Sequence, residues 1–281
     1  MSMLDGLYLG LEEHYVSVNG FRTHYYTAGL RENPPVVLLH DGAWGADALL
    51  SWGGVMRELS KKFWVVAPDM LGFGQTDKAA FFGEAHYNYR MRHVGDFCRT
   101  ICMPGPAHFV GTSFGGSLVL RAAIDSNWSI ASATSIAGTG GPWRSELSKR
   151  ELGNFEVGRD YIEKIVALLA NTTDGLDEHI ERRYQNSLLP GHYACMMSPR
   201  MKHPADQSSP KEDNYPEGLR NVDFPVHIIT MTEDKLVDPN WPLQVKKVAP
   251  NVIFHTLEGP HSPNVTKPFE VADRLVGIFT Q

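Results

Sequence analysis

Residues 110–116 read VGTSFGG, a serine set among three glycines. A serine hydroxyl is a poor nucleophile at neutral pH unless a base takes its proton and a third group holds that base. The surrounding AHFVGTSFGGSLVLRAAI reads as a strand, a tight turn and a helix with Ser113 at the tip. That is the setting in which a G-x-S-x-G elbow projects a nucleophile, and Gly111 and Gly115 supply the small residues that such a strained turn needs. A glycine reversal without chemistry is the competing reading of the same residues.

Candidates for the base and its orienting acid follow later in the chain. PVHIITM leads into TEDKLVDP, which puts Asp234 in the loop beyond a strand, and NVIFHTL leads into EGPHSPN, which puts His261 beyond the next. The order serine, aspartate, histidine is the hydrolase-type order. Glu233 and Asp238 are rival acids. Of the twelve histidines, His40, His108, His227 and His255 fall within or at the ends of expected strands and read as core residues. His14, His24, His179 and His203 read as surface or loop residues. A tetrahedral oxyanion needs donors, and the backbone amides of Gly42, in LLHDGAW, and Phe114, just after the serine, could supply two. Trp44, in the same stretch as Gly42, is a candidate substrate contact.

Other chemistries find little support. LGFGQT lacks the third glycine of a dinucleotide fingerprint, and no H-E-x-x-H or C-x-x-C spacing suggests a metal, so neither metal nor cofactor is expected. Cys98, Cys102 and Cys195 are too few and unevenly placed for a disulfide framework and are read as buried thiols.

The elements that must position these residues are legible as alternation. PPVVLLH, FWVVAPD, AHFVGTS and SIASATSIAG are short apolar or β-branched runs separated by helical patterns, which points to a mostly parallel sheet. Before them EHYVSVNGFRTHYYTAG reads as two strands joined at Asn19-Gly20, a hairpin turn forming an antiparallel edge. From 140 to 220 the chain is charged and helical, then proline-rich between Pro199 and Pro216, and is read as a lid inserted into a core of residues 1–139 and 221–281. The sheet pattern resumes with PVHIITM, a helix near Pro242 to Val248, NVIFHTL and a final amphipathic helix from Val265 to Phe279.

Composition sets the wider bounds. The 281 residues are 42% hydrophobic and 21% charged, which is globular usage. A formal charge of −6 argues against a nucleic-acid partner, which normally shows as a basic excess. No run reaches the roughly eighteen apolar residues of a membrane span, and the N-terminal residues carry no signal-peptide pattern, so the expected location is the cytoplasm and the expected partner a small molecule.

Elbow, acid and histidine together make the chain resemble the α/β-hydrolase superfamily over almost its whole length, which implies an α/β-hydrolase fold with an eight-stranded sheet, flanking helices and a helical lid. Within it, APDMLGFGQTDKA, LDEHIERRYQNSLLPG and EDKLVDP resemble the meta-cleavage product hydrolases, which cut a carbon-carbon bond in 2-hydroxy-6-oxo-dienoates during aromatic degradation. The resemblance implies that Arg183, followed by Tyr184, binds the substrate carboxylate, and that the protein is a dimer or higher homo-oligomer. A helix-surface arginine paired with Glu178 is the other reading of Arg183. Four positions depart from the family: Thr112 stands for an asparagine, Ser262 for a tryptophan, Asp41 for the glycine after His40, and Met231 for a glycine. Thr112 and Ser262 border the expected pocket and are candidate substrate contacts. An ester or lactone hydrolase with the same triad, a low-turnover ligand-binding protein on this scaffold and a cofactor-independent oxygenase remain open alternatives.

Overall fold

The computed structural model describes residue 6 and residues 9–82, 84–153, 156–198, 201 and 214–280. Eight strands form one sheet: β1 (Glu12–Val18), β2 (Phe21–Ala28), β3 (Pro35–Leu39), β4 (Trp64–Pro68), β5 (Ala107–Thr112), β6 (Ile130–Ile136), β7 (Val226–Met231) and β8 (Ile253–Leu257). Their spatial order is β1-β2-β4-β3-β5-β6-β7-β8. The first two strands form a hairpin, β2 pairs antiparallel with β4, and the remaining pairs are parallel. Asn19 and Gly20 both take positive φ, 48° and 87°, the requirement of a two-residue hairpin turn whose twist matches its strands.

The central strands are apolar at successive positions because both faces of the sheet are covered. In β3, Val37 and Leu39 enter one buried layer with Phe97, Phe109 and Leu118, while Val36 and Leu38 enter the opposite layer with Trp52, Met56 and Leu275. The period of two along a strand thus feeds two cores. The covering helices include α1 (Ala48–Leu59), α2 (His86–Thr100), α3 (Phe114–Ile124), α8 (Trp241–Val248), α9 (Pro263–Thr266) and α10 (Pro268–Phe279). The single helix expected from Val265 to Phe279 is two helices, because Pro268 disfavours helical backbone at the residue before it and Lys267 leaves the helix at φ −136°, ψ 52°.

Between β6 and β7 the chain runs through α4 (Glu146–Glu151), α5 (Arg159–Ala170), α6 (Asp177–Ser187) and α7 (His192–Met197). Their apolar faces build a third buried cluster that includes Ile162, Ile165, Val166 and Ile180 with Trp44 and Leu236 from the sheet side. Most of the proline-rich stretch from Pro199 to Pro216 lies outside the described residues. No described helix is long and apolar enough to cross a membrane.

Some burial expectations are corrected. His24 and His179, read as surface residues, are buried: His24 is held between Asp69 (2.7 Å) and Glu13 (2.8 Å), and His179 lies on the inward face of α6. Cys98 and Cys195 are buried free thiols, but Cys102 is exposed, at positive φ just past the end of α2. His203 lies outside the described residues.

Candidate active site

Ser113 terminates β5 and opens α3 with φ 52° and ψ −114°, a region that costs a non-glycine residue strain and persists only where the surroundings enforce it. Close packing enforces it. A Cβ at Gly111 would run into the backbone of Gly115, and one at Gly115 into the carbonyl oxygens of Leu39 and His40. The Ser113 amide donates to Ile136 O at 2.8 Å and the Ser113 carbonyl accepts from Ser117 N at 2.9 Å, fixing the turn on both sides.

The loop beyond β8 brings His261 to this serine. With its proton on Nδ1, His261 donates to Asp234 Oδ2 at 2.8 Å and accepts the Ser113 hydroxyl at Nε2, also at 2.8 Å. Burial lowers the pKa of His261, but the charge and hydrogen bond of Asp234 outweigh it, so the net shift is upward. Asp234 is held in turn by accepting Leu236 N at 2.8 Å. Asp238 is occupied elsewhere, accepting Asn240 N, and among the described residues the hydrogen bonds and ion pair of the His261 ring go to Asp234 and Ser113, not to Glu233. Geometry therefore selects Asp234 from the three acids.

Gly42 packs so closely on Phe114 that a Cβ there would lie 2.6 Å from the Phe114 Cβ. The loop around it is held from beneath. His40 donates from Nδ1 to Asp41 O (2.6 Å) and accepts Met70 N at Nε2 (2.9 Å), and burial keeps its pKa below the ordinary value. Among the described residues neither the Gly42 nor the Phe114 amide meets an acceptor, which leaves both available to a ligand oxygen.

A cavity of about 580 Å³ opens onto Ser113 and His261, with Gly42, Trp44 and Phe114 in its wall. That volume suits a small-molecule ligand. Three expected substrate contacts are corrected, because their side chains do not line it. Thr112 is fully buried and donates to Asn264 Oδ1 at 3.1 Å. Ser262 is buried, with its amide donating to Leu169 O. Arg183 is 1% exposed and makes a two-pronged bond to Asp41, Nη1 to Oδ1 at 3.2 Å and Nη2 to Oδ2 at 2.9 Å. It meets neither a substrate space nor Glu178. Burial would raise the Asp41 carboxyl, yet Arg183 holds it well below the usual carboxylate range.

The model of the alpha/beta hydrolase family matches residues 36–274. The chain belongs to that family. Among curated relatives, the 2-hydroxy-6-oxo-6-(2'-aminophenyl)hexa-2,4-dienoic acid hydrolase of Metapseudomonas resinovorans is 28% identical over 230 residues, 80% of this chain and 76% of the relative. The 2-hydroxy-6-oxo-2,4-heptadienoate hydrolase of Pseudomonas putida strain F1 is 25% identical over 240 residues, 83% of each chain. The crystal structure of the 2-hydroxy-6-oxo-6-phenylhexa-2,4-dienoate hydrolase from Rhodococcus sp. strain RHA1 superposes with a TM-score of 0.81 at 19% identity, covering 96% of this chain and 99% of that one. That likeness is one of fold.

The hydrolase also carries wall residues that the sequence reading passed over: His86, Arg90, Arg121 and Arg144. A signal for three of them was present. Ser113, Ser117 and Arg121 recur at four-residue spacing, one face of a helix, and His86 and Arg90 repeat that spacing on α2. Arg144 follows β6 in an irregular segment, with no periodicity to mark it. Among the described residues no group of three or more His, Cys, Asp or Glu is arranged to hold a metal ion.

Proposed function

We propose that this hydrolase cleaves a carbon-carbon bond in a 2-hydroxy-6-oxo-dienoate, with Ser113, His261 and Asp234 as its catalytic triad. The unbroken relay from Asp234 through His261 to Ser113, facing a cavity of about 580 Å³, carries the reading. Likeness along most of the chain to relatives named for such substrates supports the choice of bond.

The chemistry requires the substrate dienol to take up a proton on carbon and become its keto form. His261 then accepts the proton of Ser113, or of a water, as the oxygen attacks the distal ketone. The Gly42 and Phe114 amides receive the resulting oxyanion. Its collapse breaks the bond to the neighbouring carbon, which leaves as a stabilised carbanion and takes the proton from His261. Hydrolysis of any acyl-serine releases the second acid. Each oxyanion donor is worth about 10²–10³ in turnover.

One observation favours a second reading, hydrolysis of a carboxylic ester or lactone. Asp41 engages the guanidinium of Arg183, so that arginine offers no free fork to a substrate carboxylate. Dienol substrates are coloured, and their consumption is read by loss of absorbance. The carbon-carbon reading expects ring-fission dienoates to bleach and Ser113→Ala to stop the bleaching. Rapid cleavage of simple aryl esters with no dienoate bleached would establish the ester reading in its place.

A further inference from the structure

Arg90, one turn into α2, is a buried cation in the cavity wall, 3% exposed. Among the described residues no carboxylate lines the cavity and none pairs with this guanidinium; Nε and Nη1 donate instead to the carbonyls of Leu71 (3.0 Å) and His86 (3.3 Å). Three rings enclose it, their centres 4.6 Å (Tyr89), 5.2 Å (Phe73) and 5.5 Å (Phe114) from the guanidinium carbon. Burial raises the pKa of the Cys195 thiol and of the Tyr87 and Tyr89 phenols, so these neighbours are neutral at neutral pH. Burial also lowers the pKa of Arg90, but a guanidinium keeps its charge in a protein. Carbonyl oxygens and ring faces orient that charge without cancelling it, and a buried charge with no ion partner is costly. An incoming anion relieves that cost, and the planar fork of arginine matches a carboxylate.

The position fits a ligand that also reaches Ser113. Phe114, one of the rings against Arg90, directly follows the serine, and its amide is available to a ligand oxygen. His86, four residues before Arg90 on the same face of α2, packs its ring 5.3 Å from that of Phe114. Burial, with the charges of Arg90, Arg121 and Arg144, pushes the His86 pKa down to about 4, so its ring is neutral at neutral pH. Arg90 and Arg183 flank the same part of the wall. Burial lowers the pKa of His192 and both arginines add to the lowering, while the His192 ring packs on Trp44 (5.1 Å) and Phe73 (5.7 Å). Arg183 is paired with Asp41. Arg121 and Arg144, elsewhere in the wall, are held by Gly140 O and by Ser148.

We propose that Arg90 is the carboxylate anchor of this cavity, the part that sequence resemblance gives to Arg183. Its guanidinium receives the anionic end of the ligand while the distal ketone lies at Ser113. The assignment rests on the reading that a dienoate occupies the cavity, and it replaces one anchor by another: Asp41 has fixed Arg183 to the loop after β3, and the cation without a carboxylate partner is the one on α2.

Sorbate, a six-carbon dienoate with no bond for the enzyme to cleave, and its neutral amide sorbamide separate charge recognition from turnover. Calorimetric titration of the whole chain at neutral pH should show sorbate binding about tenfold or more tightly than sorbamide, as a hydrogen bond to a charged group implies. Arg90→Met should bring that ratio towards one, and Arg90→Lys should retain part of it. Because the ratio is measured within each variant, a general loss of packing lowers both affinities and does not imitate the result. Crystals of the wild-type protein soaked in sorbate supply a reading that needs no variant: carboxylate oxygens about 2.7–2.9 Å from the Arg90 guanidinium nitrogens. Equal or undetectable binding of both probes by the wild type, an undiminished ratio in Arg90→Met, or a sorbate carboxylate seated away from Arg90 overturns the proposal. Dienoate bleaching with an undiminished ratio would keep the function and remove this anchor; no bleaching with a ratio lost in Arg90→Met would keep the anchor and remove the function.

Discussion

His261 and Arg183 illustrate how a neighbouring carboxylate decides what a side chain can do. Protonated His261 cannot accept the proton of Ser113, and Asp234 raises the His261 pKa above its ordinary 6.5, so the inactive form persists to higher pH. The expected pH profile of kcat/KM therefore climbs through an apparent pKa above 6.5. Asp234→Asn removes the raising influence and leaves burial, so the climb should move to lower pH while turnover falls by about 10⁴. A profile unchanged in position would show that another group is the base. Arg183 is tied to Asp41 where both are almost wholly buried, and removing one member of such a pair strands the other charge. Arg183→Ala should lower the unfolding free energy by about 3–5 kcal/mol, measured by urea denaturation. The joint change Asp41→Asn, Arg183→Met should recover much of it. A glycine after His40, as in the resembling family, would have left that guanidinium without this partner, so one substituted position changes the meaning of a second far along the chain.

Helix α6 is bound to the loop that follows β3 through adjacent arginines. Arg182 Nε meets Asp47 Oδ2 at 2.6 Å, Arg183 meets Asp41, and Asn186 Nδ2 donates to Gly45 O (3.1 Å) and Asp47 Oδ2 (2.8 Å). Asp47 is also the N-cap of α1, accepting Leu50 N at 2.7 Å. Gly45 needs its positive φ of 70°, and a Cβ there would run into the Arg183 carbonyl. One short loop thus connects the sheet, α1 and the helices above the cavity. Asp47→Ala should cost about 1 kcal/mol for the cap alone and more for the bonds that Arg182 and Asn186 make to that carboxylate. Turnover should fall too, because Gly42 moves with the loop. Thermal unfolding with steady-state kinetics tests both, and full activity in a destabilised variant would show that α6 does not help position Gly42. The ends of these elements were legible in sequence where glycine, proline or a hairpin pair marked them. The α6 attachment was not, because nothing in LDEHIERRYQNSL says which acid, Glu178 nearby or Asp41 and Asp47 far away, its arginines will meet.

Across the whole molecule, burial of neutral histidines ties stability to acid. His86, His93 and His192 are held near a pKa of about 4 and His179 near about 3, chiefly by desolvation. Below the ordinary histidine value the unfolded chain binds protons that the folded chain refuses, so their contribution to stability is present above that value and is lost as pH falls towards the folded values. Each such histidine steepens the loss by up to about 1.4 kcal/mol per pH unit. His24 and His261, with raised values, act in the opposite sense, but they are fewer. Urea midpoints should therefore drop steeply between neutral pH and about pH 4.5, and a midpoint independent of pH there would mean that these rings protonate without unfolding.

The order of strands and helices, the elbow at Ser113 and the Ser113, Asp234, His261 succession were determined by sequence alone, because each depends on local signals: apolar runs, glycines where backbones touch, and loops just beyond strands. Which wall faces the ligand was decided only in three dimensions. Thr112 and Ser262 adjoin the serine and histidine in sequence, yet the alternation of side-chain directions turns Thr112 into the core and Ser262 is buried outside the cavity wall. Arg183 has the residue type of a carboxylate anchor, but charge pairing in a buried setting depends on what packs opposite, and folding sets Asp41 there and Arg90 on the cavity.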